Sequence, residues 1–199
     1  MLLGIVGKGN AGKTTVAQLL KDEFAEVIFA EPVKQITAII YDWDYDMLLG
    51  DTPKKRILRE TLHDPVWNHT PRQGMQKIGN DLFRNCFDKE TWIKIATRKI
   101  NKLRGNGKNV IITDCRFENE IKFIREQGGI ILVIYENEED LKPDPNDINL
   151  HESERSFQSA IIPTDLYYHN KKDGIEKMNN AIHELLGLSC NQPFILVSK

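Results

Sequence analysis

The sequence predicts an α/β fold in which a parallel β-sheet carries helices on both faces. Short apolar segments of strand length alternate with helical patterns along the chain, and this alternation is typical of such folds. A glycine-rich loop connects the first strand to the first helix. With 199 residues, 40% of them hydrophobic and 28% charged, the chain has the size and composition of one domain with a substantial core.

Five segments have the composition of strands. In chain order they are Leu2–Val6, Glu26–Ala30, Asn109–Thr113, Ile130–Tyr135 and Leu166–His169. The first four are largely apolar, as expected for strands buried on both sides, and the fifth is more polar. The opening segment lacks the basic start and the cleavage site of a signal peptide. We therefore expect it to be a buried first strand.

Helical patterns occupy the intervals between these segments. Thr52-Pro53 and Thr70-Pro71 each combine an N-cap residue with a proline at the first helical position. Asp88 and Asp173 are expected to cap the helices that follow them. The apolar residues that recur at helical spacing are Val16, Leu19, Leu20 and Phe24 after the first strand, and Ile175, Met178, Ile182 and Leu185 in the last predicted helix.

Charge, hydropathy and cysteine content exclude several classes of protein. The formal charge is −2, from 27 basic and 29 acidic residues, so no overall positive field indicates a nucleic-acid partner. The longest apolar stretch, Gly128–Tyr135, is far shorter than a membrane span. Three cysteines without a Cys-x-x-Cys pair argue against a disulfide scaffold or a zinc site. They make a reducing cytoplasm the expected location.

The glycine-rich loop has the pattern G-x-x-x-x-G-K-[ST]. It reads Gly7-Lys8-Gly9-Asn10-Ala11-Gly12-Lys13-Thr14, and it lies between a strand and a helix, as this P-loop motif requires. Glycines let the backbone turn tightly, so that several N–H groups point at phosphate oxygens beside the N-terminal end of the next helix. Lys13 supplies a charge for the β- and γ-phosphates, and the Thr14 hydroxyl can ligate Mg²⁺. The motif predicts binding of a nucleoside triphosphate.

A second candidate position follows the third strand. Asp114 ends an apolar run, and in a P-loop fold a carboxylate at this strand end reaches the Mg²⁺ shell. The alternative is a turn or helix-capping aspartate, which strand ends often carry. Arg116 is less easily explained by packing, because open α/β sheets bind ligands at the carboxyl ends of their strands.

One motif favours a GTP-binding switch instead of an enzyme. Asn170-Lys171-Lys172-Asp173 fits N-K-x-D, the guanine-binding motif of GTPases, and it follows the fifth predicted strand. A switch also needs Asp-x-x-Gly after the third strand, where this chain has Asp114-Cys115-Arg116-Phe117. Without that glycine, the backbone contact to the γ-phosphate has no evident source. We interpret Asn170–Asp173 as a loop, and keep the switch as an alternative.

Two segments depart from the strand–helix alternation. Gly50–Arg104 carries thirteen basic against six acidic residues and predicts a helical insertion. Glu136–Arg155 carries eight acidic against two basic residues, with two prolines, and predicts a mobile loop.

The helix that begins at Thr70 is expected to present two faces. The apolar residues Met75, Ile78 and Leu82 point one way, and a polar, cationic stripe consists of Arg72, Gln76, Asn80 and Arg84. Arginine grips phosphate through two parallel hydrogen bonds. Together with Lys34 and Arg116, the stripe predicts a second anion site facing the P-loop. The alternative is a solvated helix face.

Several segments are shared, in order and over nearly the whole chain, with one known family. They are Gly7–Thr14, Phe29–Lys34, Thr70–Arg84 with Trp92, Ile112–Glu120, His151–Glu154, and Asp165–Asn170 with Gly174. The most specific are Arg-x-x-x-Gln-x-x-Gly-x-x-x-x-Arg, beginning at Arg72, and Asp-x-Arg-Phe-x-x-Glu, beginning at Asp114. In these segments the chain resembles the bacteriophage-type deoxynucleoside monophosphate kinases, within the P-loop nucleoside monophosphate kinase fold.

The resemblance implies a three-layer α/β/α architecture in a single P-loop kinase domain, 1–199. Its five-stranded parallel sheet would have the order 2-3-1-4-5. The core would comprise 1–34, 105–135 and 160–199, with a helical insertion for the nucleoside monophosphate over about 35–104 and a lid over about 136–159. The segment 192–199 would be an extra strand or a dimer contact. The longer acidic loop Glu136–Asp147 and Cys115, where an aliphatic residue is commoner, depart from the family pattern.

The resemblance also implies a reaction and the residues that perform it. The γ-phosphoryl group of Mg·ATP would pass to a deoxynucleoside 5′-monophosphate, which gives the diphosphate and ADP and supplies DNA precursors. The ATP site would consist of Gly7–Thr14, Thr15 and Asn170, with Thr14 and Asp114 on Mg²⁺. The acceptor site would consist of Phe29, Lys34, Arg72, Gln76, Arg84, Trp92 and Arg116. The catalytic groups would be Lys13, Asp114, Arg116 and, as a clamp from the lid, Arg155.

Some alternatives stay open at this point. The aromatic rings of Phe29 and Trp92 either stack on the acceptor base or belong to the core. Another small-acceptor kinase, of the dephospho-CoA kinase type, would carry a similar P-loop. ATP and the deoxynucleoside monophosphate are the expected partners, without nucleic acid or membrane, and the resemblance favours a homodimer. For a phage-encoded chain, the expected location is the host cytoplasm.

Overall fold

Five parallel strands form the sheet that the sequence predicts. They are β1 (Leu2–Val6), β2 (Phe24–Val27), β3 (Asn109–Ile112), β4 (Ile130–Tyr135) and β5 (Leu166–His169). Their order is β2-β3-β1-β4-β5, so the predicted α/β fold class and the order 2-3-1-4-5 are confirmed. All five residues of the central strand β1 are buried, because β3 and β4 flank it in parallel and helices cover both of its faces.

The computed structural model describes residues 1–142 and 157–189. They form two compact units. The sheet unit comprises Met1–Val27 and the described residues from Ile100 onward, and the helical unit comprises Ile28–Lys99. Within the described ranges, no helix combines the length and the apolar character that crossing a bilayer requires. The division of the chain into core, insertion and lid stays a prediction.

Helices pack on both faces of the sheet. In chain order, the helices of the described residues are α1 (Lys13–Leu19), α2 (Glu31–Tyr41), α3 (Tyr45–Leu49), α4 (Pro53–Thr61), α5 (Pro71–Gln76), a π-helix (Lys77–Phe87), α6 (Thr91–Gly105), α7 (Glu118–Glu126), a 3₁₀ helix (Glu138–Leu141) and α8 (Ile175–Leu186). Leu3 and Ile5 of β1 join one core with apolar residues of α1 and α8. Gly4 faces the other way, where an added Cβ would lie 2.5 Å from Ile124 of α7.

The second strand and the segment after it differ from the prediction Glu26–Ala30. Strand β2 covers Phe24–Val27, and the next residues form the turn into α2. Phe24 and Val27 are buried, whereas Glu26 is exposed. Pro32 lies in the first turn of α2, where its fixed φ suits a helix and its missing N–H costs no hydrogen bond. The proline therefore brings the helix start closer to the strand than apolar composition alone indicates.

Two of the four predicted N-caps are confirmed. Thr52 accepts a hydrogen bond from the N–H of Lys55 at 3.2 Å. Thr70 accepts one from the N–H of Gln73 at 3.3 Å, while the Gln73 side chain accepts the N–H of Thr70 at 2.9 Å. This reciprocal capping box fixes the start of α5.

The other two predicted caps have different positions. The N-cap of α8 is Gly174, whose φ of +118° is strained for other residues, and Asp173 instead pairs with Lys177 at 3.3 Å. Asp88 ends the π-helix. Its carboxylate accepts the N–H of Glu90 at 2.8 Å, in the turn that precedes α6. Both aspartates therefore lie outside the N-cap positions.

The helix predicted from Thr70 changes its hydrogen-bond pattern after two turns. It begins as α5 and continues as the π-helix from Lys77. Ile78 is buried as predicted, but Leu82 is 47% exposed. The wider turn of the π-helix rotates Leu82 away from the helix face on which Ile78 lies. The prediction that Met75, Ile78 and Leu82 point one way is therefore wrong for Leu82.

Candidate active site

The P-loop has the positive φ angles that its glycines predict. Gly7 and Gly12 have φ angles of +154° and +106°, and Asn10 has a φ of +65°, which asparagine tolerates better than most residues. A Cβ on Gly7 would lie 2.4 Å from the carbonyl oxygen of Ile134 in β4. Glycine is required at position 7 for this close approach as well as for its conformation.

The Lys13 ammonium lies against the backbone of the P-loop. Its Nζ donates hydrogen bonds to the carbonyl oxygens of Gly7 and Lys8, each at 2.7 Å. The charge therefore sits at the start of the turn in which the motif predicts phosphate. Thr14 is exposed at the following position, and Thr15 is half-buried.

The second residue of the loop pairs with the acidic segment after β4. Lys8 Nζ lies 3.5 Å from Asp140 Oδ1 of the 3₁₀ helix. Burial acts to raise the pKa of Asp140, but the N–H groups of Asn137 and Glu136 and the Lys8 ammonium together hold that pKa below its ordinary value. Asp140 is thus an ionised partner for the loop, and the sequence prediction did not include it.

The segment after β3 carries Asp114 and Arg116 and is fixed by a buried glutamate. Glu120, 3% exposed, accepts the N–H groups of Arg116 at 2.8 Å and Phe117 at 3.1 Å. A glutamate in the first turn of a helix that reaches back to these N–H groups is a capping contact. The sequence analysis did not name Glu120 as a site residue. Its position in the first turn of α7 is the signal that could have indicated this capping contact.

Between these two residues, Cys115 points into the core. It is 2% exposed, and its Sγ lies 3.3 Å from the position of a Cβ on Gly4. Burial, with Glu120 and Asp114 nearby, raises the pKa of the thiol. Cys115 is therefore a packing residue, and its side chain is not available as a nucleophile.

Asn170 is buried against the P-loop. Its Nδ2 donates to the carbonyl oxygen of Ala11 at 2.9 Å, and its Oδ1 accepts the N–H of Lys172 at 3.1 Å. The prediction assigned Asn170 to ATP itself; the contact observed is with the loop that would hold the phosphates.

The oxygen donors predicted for Mg²⁺ suit that ion. Thr14 offers a hydroxyl and Asp114 a carboxylate, and Mg²⁺ prefers oxygen ligands, with one or two carboxylates completed by substrate phosphates and water. Over residues 1–142 and 157–189, no group of three or more His, Cys, Asp or Glu side chains could hold a metal ion. One hydroxyl and one carboxylate fit an ion that is bound largely through a nucleotide.

The predicted polar stripe lies in the helical unit. Arg72 and Gln76 belong to α5 and are half-buried, whereas Asn80 and Arg84 belong to the π-helix and are 9% and 8% exposed. An α-helix has about 3.6 residues per turn and a π-helix has more than four. Side chains spaced four residues apart therefore shift around the helix axis in one direction on an α-helix and in the opposite direction on a π-helix. The change of helix type therefore keeps the four side chains on a narrower face than a continuous α-helix would.

Asn80 has an unusual environment on this face. Its Oδ1 is buried and has no hydrogen-bond partner. A buried polar atom without a partner costs free energy, and native proteins retain few of them. The sequence placed Asn80 on the stripe without a role, and the unpartnered oxygen marks it as a candidate ligand contact.

The π-helix packs closely against α2, the helix that carries Lys34. A Cβ on Gly79 would lie 3.1 Å from Val33 Cγ1, so glycine allows the π-helix to approach α2 beside Lys34. The Lys34 ammonium lies 3.7 Å from Glu31 Oε2. Glu31 also accepts a hydrogen bond from the Tyr45 hydroxyl. Burial, together with this carboxylate, raises the pKa of Tyr45 to about 12.

The two aromatic candidates are buried in the structure. Phe29 and Trp92 are each 3% exposed. The Trp92 indole donates to the carbonyl oxygen of Gly79 at 2.9 Å, and its ring centroid lies 5.1 Å from that of Phe83. Trp92 therefore packs inside the helical unit, and its stacking on a base stays a prediction. Arg155, most of the predicted lid and the tail 192–199 lie outside the described residues.

Comparisons with known proteins agree with the resemblance seen in the motifs. Residues 51–159, which are more than half of the chain, match the family model described as deoxynucleotide monophosphate kinase. The chain is also 30% identical, over 146 residues, to a protein of Acanthamoeba polyphaga mimivirus named "Putative deoxynucleotide monophosphate kinase". That alignment covers 67% of this chain and 73% of the viral protein.

Proposed function

The chain belongs to the deoxynucleotide monophosphate kinase family, and on that premise we propose that it transfers the γ-phosphoryl group of Mg·ATP to a deoxynucleoside 5′-monophosphate. The products are the deoxynucleoside diphosphate and ADP. The observation that carries the proposal is the P-loop, in which the Lys13 ammonium bonds to the carbonyls of Gly7 and Lys8 inside a turn made by left-handed residues.

The sheet unit supplies the donor groups in this proposal. The N–H groups of Gly7–Thr14 surround the phosphates of ATP, and Lys13 neutralises charge on the β- and γ-phosphates. Thr14 and Asp114 would hold Mg²⁺, which would supply positive charge to neutralise the triphosphate. Arg116 lies on the backbone segment that Glu120 fixes, so its guanidinium starts from a defined position.

The helical unit supplies the acceptor groups. Arg72, Arg84 and Lys34 bind the phosphate of the deoxynucleoside monophosphate, and Gln76 contributes a polar contact on the same face. Arg84 has little freedom because it is 8% exposed, and this lowers the entropy that binding would cost. The acceptor phosphate oxygen attacks the γ-phosphorus in line with the leaving β-phosphate oxygen.

Positioning and charge stabilisation account for catalysis in this scheme. The transition state of phosphoryl transfer is loose and resembles metaphosphate, so the protein needs no covalent intermediate. Lys13, Arg116 and, from the lid, Arg155 stabilise the negative charge on the transferred group. Closure of the lid excludes water, which otherwise competes with the acceptor for the phosphoryl group. We further propose a cytoplasmic homodimer, in the host cell if the chain is phage-encoded.

An acceptor panel tests the proposal. ADP release is followed by a coupled assay with each of the four deoxynucleoside monophosphates, their ribose counterparts and dephospho-CoA, and with ATP or GTP as donor. We expect turnover only when a deoxynucleoside monophosphate is present, and none with Lys13→Ala. Turnover with dephospho-CoA alone would favour the other kinase type. Tight GTP binding without acceptor-dependent turnover would favour a switch.

A further inference from the structure

Asn170, the residue that follows β5, makes three hydrogen bonds, and one of them joins it to the P-loop. Its Nδ2 donates to Ala11 O at 2.9 Å, its Oδ1 accepts the N–H of Lys172 at 3.1 Å, and its own N–H donates to Tyr135 O at 2.8 Å. The residue is 7% exposed. Both ends of the amide and the backbone are therefore held, and the side chain has one orientation.

The contact with Ala11 controls a neighbouring N–H group. The carbonyl of Ala11 and the N–H of Gly12 belong to one planar trans peptide, so they point in opposite directions. When Asn170 holds the carbonyl on its own side, the N–H of Gly12 is turned to the other side of the loop. In a P-loop, N–H groups directed in this way bind phosphate oxygens.

Gly12 itself is adapted to this contact. Its φ of +106° favours glycine, and an added Cβ would lie 2.8 Å from Asn170 Nδ2. The motif requires glycine here on conformational grounds, and the asparagine supplies a second, steric reason.

The geometry points to Asn170 as a positioning residue of the donor site, which sets the orientation of the Ala11–Gly12 peptide and does not itself bind the nucleotide. This inference rests on the ATP binding in the proposed function, and is independent of the acceptor. It also gives a role to the N-K-x-D motif of Asn170–Asp173. The amide that would contact guanine in a switch is here bonded to Ala11 and to the backbone of Lys172.

Calorimetric titration of ATP without acceptor tests the inference. The proteins are the wild type, Asn170→Ala, Asn170→Asp and the matched control Asn179→Ala, which removes an equally buried asparagine from α8. We expect both Asn170 variants to lose at least about tenfold in ATP affinity. The Ala11 carbonyl loses its hydrogen-bond donor in Asn170→Ala and faces a carboxylate in Asn170→Asp. The control should bind ATP as the wild type does. In turnover, the KM for ATP should rise while the acceptor KM stays constant.

The pH dependence of Asn170→Asp separates positioning from a general loss of packing. A protonated carboxyl can donate to Ala11 O, whereas a carboxylate cannot. Burial beside the Ala11 carbonyl should raise the pKa of the introduced carboxyl above its ordinary value of about 3.9. Relative to the wild type, the ATP affinity of Asn170→Asp should therefore recover as the pH is lowered from about 8 to about 5. This measurement also serves if Asn170→Ala does not fold.

Three results would overturn the inference. They are ATP affinities within twofold of the wild type in the Asn170 variants, an equal loss in Asn179→Ala, and a pH profile of Asn170→Asp that parallels the wild type. Failure of the proposed function is distinguishable, because the titration uses ATP alone: a wild type that binds ATP but lacks acceptor-dependent turnover contradicts only the acceptor proposal.

Discussion

The two units hold their candidate functional groups in different ways. In the sheet unit, the side chains of Lys13, Glu120 and Asn170 bond to backbone carbonyls and N–H groups. In the helical unit, the polar stripe runs along α5 and the π-helix, Lys34 lies on α2, and Asn80 has a buried oxygen without a partner. A site built on backbone contacts is set before its ligand arrives, whereas a face with an unpartnered polar atom gains its missing contact from the ligand. The two units should therefore respond differently to substitution.

The largest effect is expected in the sheet unit, at Lys13. Replacing Lys13 with alanine removes the positive charge that neutralises the transferred phosphoryl group, and turnover should fall on the order of a thousandfold or more. The effect should appear in kcat, measured by ADP release at saturating acceptor. Lys21→Ala, which removes an exposed lysine shortly after α1, is the control and should retain activity. A Lys13→Ala enzyme with more than a tenth of wild-type kcat would contradict the donor assignment.

In the helical unit, Arg72→Ala should act on acceptor binding. The loss of a charge-assisted contact to phosphate should raise the acceptor KM by about ten- to a hundredfold, with the KM for ATP unchanged. Arg72 is preferable to Arg84 because it is only half-buried, so its removal disturbs packing less. Lys77→Ala, an exposed cation at the start of the π-helix, is the matched control. An equal rise in both KM values would contradict the division of labour between the units.

The two units also differ in how well their features can be predicted from the sequence. The P-loop and the caps Thr52 and Thr70 depend on local rules or on a motif whose geometry is fixed, and they are predictable. The strand order is predicted from the family resemblance and not from local rules. The π-helix is not predictable, because over two or three turns a polar residue every four positions fits an α-helix equally well. The i→i+5 hydrogen bonds of the π-helix occur where this helix packs against another, since Gly79 lies close to Val33 of α2.

Other differences also come from contacts distant in sequence or from single backbone angles. Apolar composition marked the second strand, but Pro32 sets where α2 begins. The positive φ of Gly174, not the carboxylate before it, sets the start of α8. Asp140 is missing from the prediction because its pairing with Lys8 joins residues far apart in the chain. Such contacts leave no periodic pattern in the sequence.

A substitution at Asn80 tests whether the helical unit trades stability for binding. Leucine has a similar shape and no polar atom, so Asn80→Leu should raise the free energy of unfolding by about 1 kcal/mol. The same change should raise the acceptor KM a few-fold, because the contact that the ligand would supply is lost. Urea unfolding and acceptor titration measure the two effects, with Asn85→Leu on the exposed side of the π-helix as control. Increased stability with an unchanged KM would remove Asn80 from the site.

The smallest expected effect concerns the pairing of Lys8 with Asp140. The pKa of Asp140 is lowered in the folded protein, so its carboxylate stabilises the fold above the ordinary pKa of 3.8, and this contribution is lost as the pH falls through the lower folded value. Asp140→Asn should therefore lower the free energy of unfolding by less than about 1 kcal/mol at pH 7, since the pair is partly exposed. The difference from the wild type should shrink below about pH 4, and added salt should reduce it at pH 7. Urea unfolding across this pH range measures it, with Glu139→Gln on the same 3₁₀ helix as control. A difference that grew on acidification would mean that Asp140 is not held as a carboxylate.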